Sequence, residues 1–146
     1  MSEKLHEVHE EITINAPVNE VFDYLGNREH YVEWLPSLEE IKNMREENGV
    51  PHWDYSYRML GFKFEGTNKL AEEIPNKKRV LSSVKGMKNN WVFNFEEVSG
   101  GTHIDATISY EVPVPVLGKL AEGFVKRANH NEVKAALQNI KAKFEA

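Results

Sequence analysis

His52-Trp53-Asp54-Tyr55-Ser56-Tyr57-Arg58-Met59 alternates without a break, with Trp53, Tyr55, Tyr57 and Met59 on one parity and His52, Asp54, Ser56 and Arg58 on the other. Successive side chains of a β-strand point to opposite faces, so this stretch reads as a strand with one aromatic and one wet face. The strand runs over His52–Leu60 and stops at Gly61. Further runs follow: Phe62–Glu73 to Pro75-Asn76, Arg79–Lys85 to Gly86, Asn90–Val98 to Ser99-Gly100-Gly101, and Thr102–Glu111 to Pro113. Upstream, Leu38–Glu47 ends at Asn48-Gly49. Six consecutive strands joined mostly by short turns make an antiparallel meander. Trp91, Phe93 and Phe95 repeat the aromatic alternation, so one face of the sheet is aromatic and the other is solvated.

Ahead of the meander, His6–Ile14 reads as a strand with Val8, Glu10, Ile12 and Ile14 on one parity. Asn15-Ala16-Pro17 stops it, and Pro17 suits the first turn of a helix carrying Val18, Val21, Phe22 and Leu25. Gly26-Asn27 ends that helix, and Arg28–Leu35 gives a second short one closed by Pro36. After the meander, Val116–Phe144 is the one segment long enough to cover the apolar face of the sheet. At 100° per residue it shows two stripes about 170° apart: Leu117, Leu120, Ala121, Phe124 and Ala128, then Val133, Leu137, Ile140 and Phe144. One straight helix cannot present both to one sheet. The spacing therefore predicts a bend near Asn129-His130-Asn131, or halves that serve different surfaces. The second half, Val133–Phe144, is expected to anchor on the sheet. Val114–Ala128, loosened by Pro115, Gly118 and Gly123 after Pro113-Val114-Pro115, is expected to be a movable lip.

At 146 residues the chain suits one domain, 1–146. It has no cysteine, so disulfides, thiolate metal sites and a cysteine nucleophile are out. The longest stretch free of Asp, Glu, Lys and Arg is Ile12–Asn19, eight residues, against the ~20 of a membrane-spanning helix. Glu3, Glu7, Glu10 and Glu11 stand where a signal peptide needs a basic and then an apolar run, so a cytoplasmic location is expected. Net charge is −5. Lys77-Lys78-Arg79 is the tightest basic cluster and reads as a solvated turn, so no nucleic-acid partner is expected. Residues 1–50 carry 4 Lys/Arg against 12 Asp/Glu, whereas 114–146 carry 6 against 3. These segments should attract each other, within the chain or between two chains as a homodimer.

The phrases Ile14-Asn15-Ala16-Pro17-Val18-Asn19-Glu20-Val21-Phe22, Tyr31-Val32-Glu33-Trp34-Leu35-Pro36, Trp91-Val92-Phe93, Tyr110-Glu111-Val112-Pro113 and Leu117-Gly118-Lys119-Leu120 stand at the junctions of this plan. In them, from about residue 7 to residue 144, the chain resembles the START-like superfamily, also called SRPBCC, polyketide cyclase/dehydrase or helix-grip. The resemblance implies an α+β helix-grip fold: a strand, two short helices and a six-strand meander, the curved antiparallel sheet wrapping a long C-terminal helix around an apolar cavity. The superfamily holds lipids, sterols, polyketides, plant hormones or quinones there. The Trp-Leu-Pro and Tyr-Glu-x-Pro phrases are similar to those of bacterial cyclase-like proteins and, more distantly, of coenzyme Q-binding proteins. The glycine-rich loop of the plant allergen branch is absent, and so are the cofactor domains of the oxygenase-associated branch.

On that fold Trp53, Tyr55, Tyr57, Phe64, Trp91, Phe93 and Phe95 face inward. Phe93 and Phe95 lean toward core filling. Tyr55, Tyr57 and Trp91 lean toward a cavity wall, because buried phenols and indoles need polar partners. Gly66 and Asn68 share the parity of Phe64, the glycine removing bulk and the amide placing a polar group on an apolar face. The candidate ligand-binding set is Trp53, Tyr55, Tyr57, Phe64, Asn68, Trp91, Phe93, Tyr110 and Phe124. Six histidines form no convergent metal set, and no catalytic residue or cofactor is assigned. His103 and Asp105, two apart on one strand face, read as a solvated pair on the side away from the cavity. The expectation is a soluble carrier or binding protein enclosing an apolar small molecule, such as a lipid, a quinone or a polyketide-like compound. The alternative is a cyclase or dehydratase acting in the same cavity.

Overall fold

In the computed structural model, which describes residues 5–59, 61–111 and 122–145, the first strand joins the meander at its last strand. The strands are β1 (Leu5–Ile14), β2 (Leu38–Glu47), β3 (Val50–Met59), β4 (Phe62–Ile74), β5 (Lys78–Lys85), β6 (Asn89–Val98) and β7 (Gly101–Glu111). They form one curved antiparallel sheet in the order β1-β7-β6-β5-β4-β3-β2. Asn48 and Gly49 take φ of 55° and 78°, the left-handed pair that a two-residue hairpin needs between β2 and β3. Period-two burial is cleanest in β7, where Ile104, Ala106, Ile108 and Tyr110 are buried and the residues between them are half-buried.

Helix α1 (Val18–Gly26) starts from the carbonyl of Pro17 and buries Val21, Phe22, Tyr24 and Leu25. A single 3₁₀ turn (Arg28–His30) leads into α2 (Tyr31–Trp34), whose Tyr31 and Trp34 are buried. The last helix, α3, is described over Glu122–Glu145. The expected Pro113-Val114-Pro115 leader, and Leu117, Gly118, Leu120 and Ala121 of the expected first stripe, lie outside the described residues.

Helix α3 runs unbroken through Asn129-His130-Asn131, and one stripe serves its described length where two were expected. The reason lies in Val125. At 100° per residue Val125, Val133, Ala136, Leu137, Ile140 and Phe144 fall within an arc of about 120°, so the second stripe simply continues upward. All but the partly buried Phe144 are buried. Phe124 stands about 160° from the centre of that stripe and faces solvent. The N-terminal and C-terminal segments touch within the chain: Glu10 lies 3.3 Å from His130, Lys141 Nζ donates to the Thr13 carbonyl, and the Asn15 amide donates to Glu145.

The edge pair β2–β3 is held across an irregularity in its register, where Asn43 takes φ of 53°. Asp54 accepts from Asn43 Nδ2 at 2.8 Å, Thr67 Oγ1 at 2.8 Å and Arg45 Nη1 at 3.1 Å. These donors, Asn43 and Thr67 foremost, hold its carboxyl down at about 2. A depressed carboxylate stabilises the fold above its unfolded pKa of about 3.9 and loses that contribution as pH falls toward 2. Asp54→Asn should therefore be less stable than the parent at pH 7, with the gap closing between about pH 4 and pH 2. Urea midpoints at the two ends of that window check this, and a gap independent of pH would refute it.

Candidate functional site

Between the sheet and helices α2 and α3 lies a pocket of about 80 Å³. Of the nine candidates, Trp53, Tyr55, Tyr57, Asn68, Trp91 and Tyr110 line it. Phe93, Phe64 and Phe124 do not. Phe93 is 2% exposed and forms core beneath the pocket, its ring 6.1 Å from both Trp34 and Trp91. Phe64 pairs with Tyr57 in the β3–β4 register and packs half-buried against the core. Phe124 is 62% exposed, on the solvent side of α3.

The remaining lining comes from elements that carry no site signal in the sequence. Tyr31, Trp34 and Leu35 come from α2 and its end, Leu38 and Ile41 from β2, and Leu81 and Ile108 from β5 and β7. Met87 enters from the β5–β6 turn, Asn89 from the start of β6 and Asn129 from α3. Asn89 shares the parity of Trp91 and could have been found by it. Asn129, a weak helix former by residue type, places an amide on the buried stripe, hydrogen-bonding the Tyr110 hydroxyl. Gly66 makes room for protein, not ligand: a Cβ there would stand 2.7 Å from the hydroxyl of Tyr55, its partner in register.

Two polar clusters support the pocket, one within its lining and one behind Tyr57. In the first, Asn89 is the hub: its Nδ2 donates to the Met87 carbonyl at 2.9 Å. Its Oδ1 accepts from Asn68 Nδ2 at 2.9 Å and from Trp91 Nε1 at 3.2 Å. In the second, Ser37, between α2 and β2, donates its backbone N–H and its hydroxyl to the two oxygens of buried Glu132 at 2.8 and 2.9 Å. Ser37 also hydrogen-bonds Tyr57. Burial pushes the Glu132 carboxyl above the usual carboxylate range, against the lowering effect of the Ser37 donors. Burial likewise raises the phenols of Tyr55, Tyr57 and Tyr110, and that of Tyr31 to about 12. These hydroxyls stay neutral at physiological pH and serve as hydrogen-bonding groups, not bases. The described lining holds no carboxylate, imidazole, ammonium or guanidinium.

His103 and Asp105 sit on the opposite face of the sheet, as their parity requires. His103 pairs with Glu11 at 2.8 Å and Asp105 with His9 at 3.0 Å. The β1–β7 register sets Glu11 opposite Asp105, which brings the ligand atoms of His9, Glu11 and Asp105 within 4.8 Å of one another. His9 and Glu11 are exposed, and the pairing of these side chains across the strands accounts for their positions.

A curved antiparallel sheet closed by two short helices and a long C-terminal helix over an aromatic pocket is the START-type, or helix-grip, ligand-binding fold. Residues 6–145 match the family described as polyketide cyclase / dehydrase and lipid transport, and the chain belongs to that family. A search of curated protein sequences gives no match. Among solved structures, TTHA0849 of Thermus thermophilus superposes with a TM-score of 0.82 at 20% identity, over 95% of this chain and 97% of its own. The Zhui aromatase/cyclase from Streptomyces sp. R1128 gives 0.79 at 14% identity, over 97% and 94%. A START superfamily protein from Mycobacterium smegmatis gives 0.79 at 16%, over 96% and 97%. These likenesses concern the fold. No helix among the described residues is long and apolar enough to cross a membrane.

Proposed function

We propose that this chain acts as a single ligand-binding domain, a carrier that encloses one ring-bearing apolar small molecule in the pocket. Trp53, Tyr55, Tyr57, Trp91 and Tyr110 would be its wall and Asn68 a polar contact. The observation that carries this reading is the chemistry of the lining: aromatic and aliphatic surface, neutral phenols and amides, and no group charged at neutral pH among the described residues. Such a wall measures shape and rewards ring stacking. Sites for drug-sized ligands run to roughly 300–1,000 Å³, so the 80 Å³ found here favours a compact ring system over an extended acyl chain.

Titration with naphthalene, followed by tryptophan emission, tests the reading. Saturable one-to-one binding is expected, weakened about tenfold or more in Trp91→Ala and in Tyr57→Ala as stacking surface is lost. Unchanged affinity in both variants would remove the pocket as the site.

One feature favours the cyclase or dehydratase alternative. The neutral Tyr57 phenol, held beside Ser37 and Glu132, could donate its O–H hydrogen bond to a substrate carbonyl and so polarise it. On that alternative Tyr57→Phe would abolish turnover of a polyketide-like substrate while leaving its binding intact. Turnover that survives Tyr57→Phe would exclude it.

A further inference from the structure

Asn68 is 8% exposed, and its amide oxygen is buried without a hydrogen-bond partner among the described residues. Its place follows from the sheet. The β4–β5 ladder pairs Thr67 with Lys85 but Asn68 with Ser83, passing over Val84. Such irregularities re-aim side chains. Thr67 and Asn68 are consecutive and both buried, Thr67 donating to Asp54 while Asn68 lines the pocket opposite Trp53.

Which end of the Asn68 amide is free is decided by its neighbours. An amide's oxygen and nitrogen are told apart by the groups they meet. The Met87 carbonyl can only accept, so the atom of Asn89 facing it is Nδ2. The indole N–H of Trp91 can only donate, so the atom of Asn89 facing it is Oδ1. Asn68 must therefore offer its NH₂ to that same Oδ1, and its own carbonyl is the end left over. With two donors on it, Asn89 Oδ1 has both lone pairs engaged. In this corner of the pocket Asn68 Oδ1 is the acceptor that remains to be satisfied, and only a donor can satisfy it.

We propose that Asn68 makes the pocket select ring compounds bearing a hydroxyl or N–H group, whose hydrogen the Asn68 oxygen accepts, over compounds of the same outline that lack one. The proposal rests on the reading of the pocket as a site for a ring-bearing apolar molecule. A ligand with a methyl group in the hydroxyl's place would leave the buried acceptor unpaired, whereas a hydroxyl would pair it. Sites built around a polar partner reject such analogues strongly.

The test compares 2-naphthol with 2-methylnaphthalene, near-isosteres that differ in the O–H. Transfer out of water by itself favours the methyl compound, so a preference for the naphthol reports a polar contact. Parent protein should bind 2-naphthol at least about tenfold more tightly. Asn68→Leu, which keeps the side chain's approximate shape and leaves Asn89 Oδ1 its Trp91 donor, should lose that preference through weaker binding of 2-naphthol. Equal affinities in the parent protein would overturn the role of Asn68 while leaving the pocket reading intact, and this comparison holds even if the variant does not fold. A preference that persists in folded Asn68→Leu would also overturn it. Binding of neither compound would bring down the pocket reading and this proposal with it.

Discussion

Replacing Arg79 with alanine should lower the unfolding free energy by about 3 kcal/mol, a large share of the total for a domain of this size. Arg79 rises from β5 into the interior, where it is 4% exposed. Its Nη1 donates to the Phe22 carbonyl of α1 at 2.8 Å. Its Nε and Nη2 hold one oxygen of Glu73 at 2.8 and 2.7 Å. The guanidinium lies 3.8 Å from the centroid of the Phe22 ring, a cation–π contact shielded from water. Room for it exists because residue 26 is glycine: a Cβ there would stand 2.6 Å from the Arg79 Cζ. One side chain thus clamps α1 to the sheet through its ring, its backbone and its terminal glycine.

Glu73 is 38% exposed, so on losing its partner it rehydrates and adds little to the cost. The loss comes from the buried charge-assisted bond, the cation–π contact and the space vacated. Arg79→Lys should recover less than half of it, because a single ammonium cannot serve Phe22 and Glu73 in a fixed fork. Urea denaturation measures both variants. A loss under about 1 kcal/mol in Arg79→Ala would show that α1 is held elsewhere.

Trp34→Ala should cost about 3–5 kcal/mol. Helix α2 is a single turn, Tyr31–Trp34, far below the length at which a helix stands without tertiary support. Trp34 supplies that support, 1% exposed and edge-on to Tyr31 at 5.3 Å and Phe93 at 6.1 Å. The same ring walls the pocket, so probe binding should fall with stability. Its indole nitrogen has no hydrogen-bond partner among the described residues. Trp34→Phe should therefore lose volume but no protein hydrogen bond, and cost clearly less than the alanine variant. Thermal and urea unfolding decide the matter. If Trp34→Ala cost under about 1.5 kcal/mol, neighbouring side chains would have to collapse into the space.

The meander was readable because its information is local. Whether a residue faces in or out on a strand depends only on parity, and turns announce themselves through Asn-Gly and Gly, so the limits of β2, Leu38–Glu47, are those read from the sequence. For the same reason Trp53, Tyr55 and Tyr57 fall on the aromatic face, and His103 and Asp105 on the other. The helical phase was harder to read. Two stripes competed over residues 116–144, and Val125, which extends one of them, settled that Phe124 points outward.

Parity assigns a face and says nothing of depth. Trp91 and Phe93 share a face, yet one lines the pocket and the other lies in the core, because α2 sets Trp34 against Phe93. Gly66 looked like space for a ligand, and the cross-strand register gave that space to Tyr55. Asn129 carries no signal of its own in the chain and Asn89 only its parity with Trp91, since an amide becomes a hub only when groups distant in sequence arrive around it. The sequence by itself determined the order of the elements, the face of each strand and the family, all consequences of short-range periodicity and turn chemistry. The tertiary structure alone decided which inward residues meet the pocket and which amide oxygen is left to be paired, because both depend on where helices and neighbouring strands come to rest against the sheet.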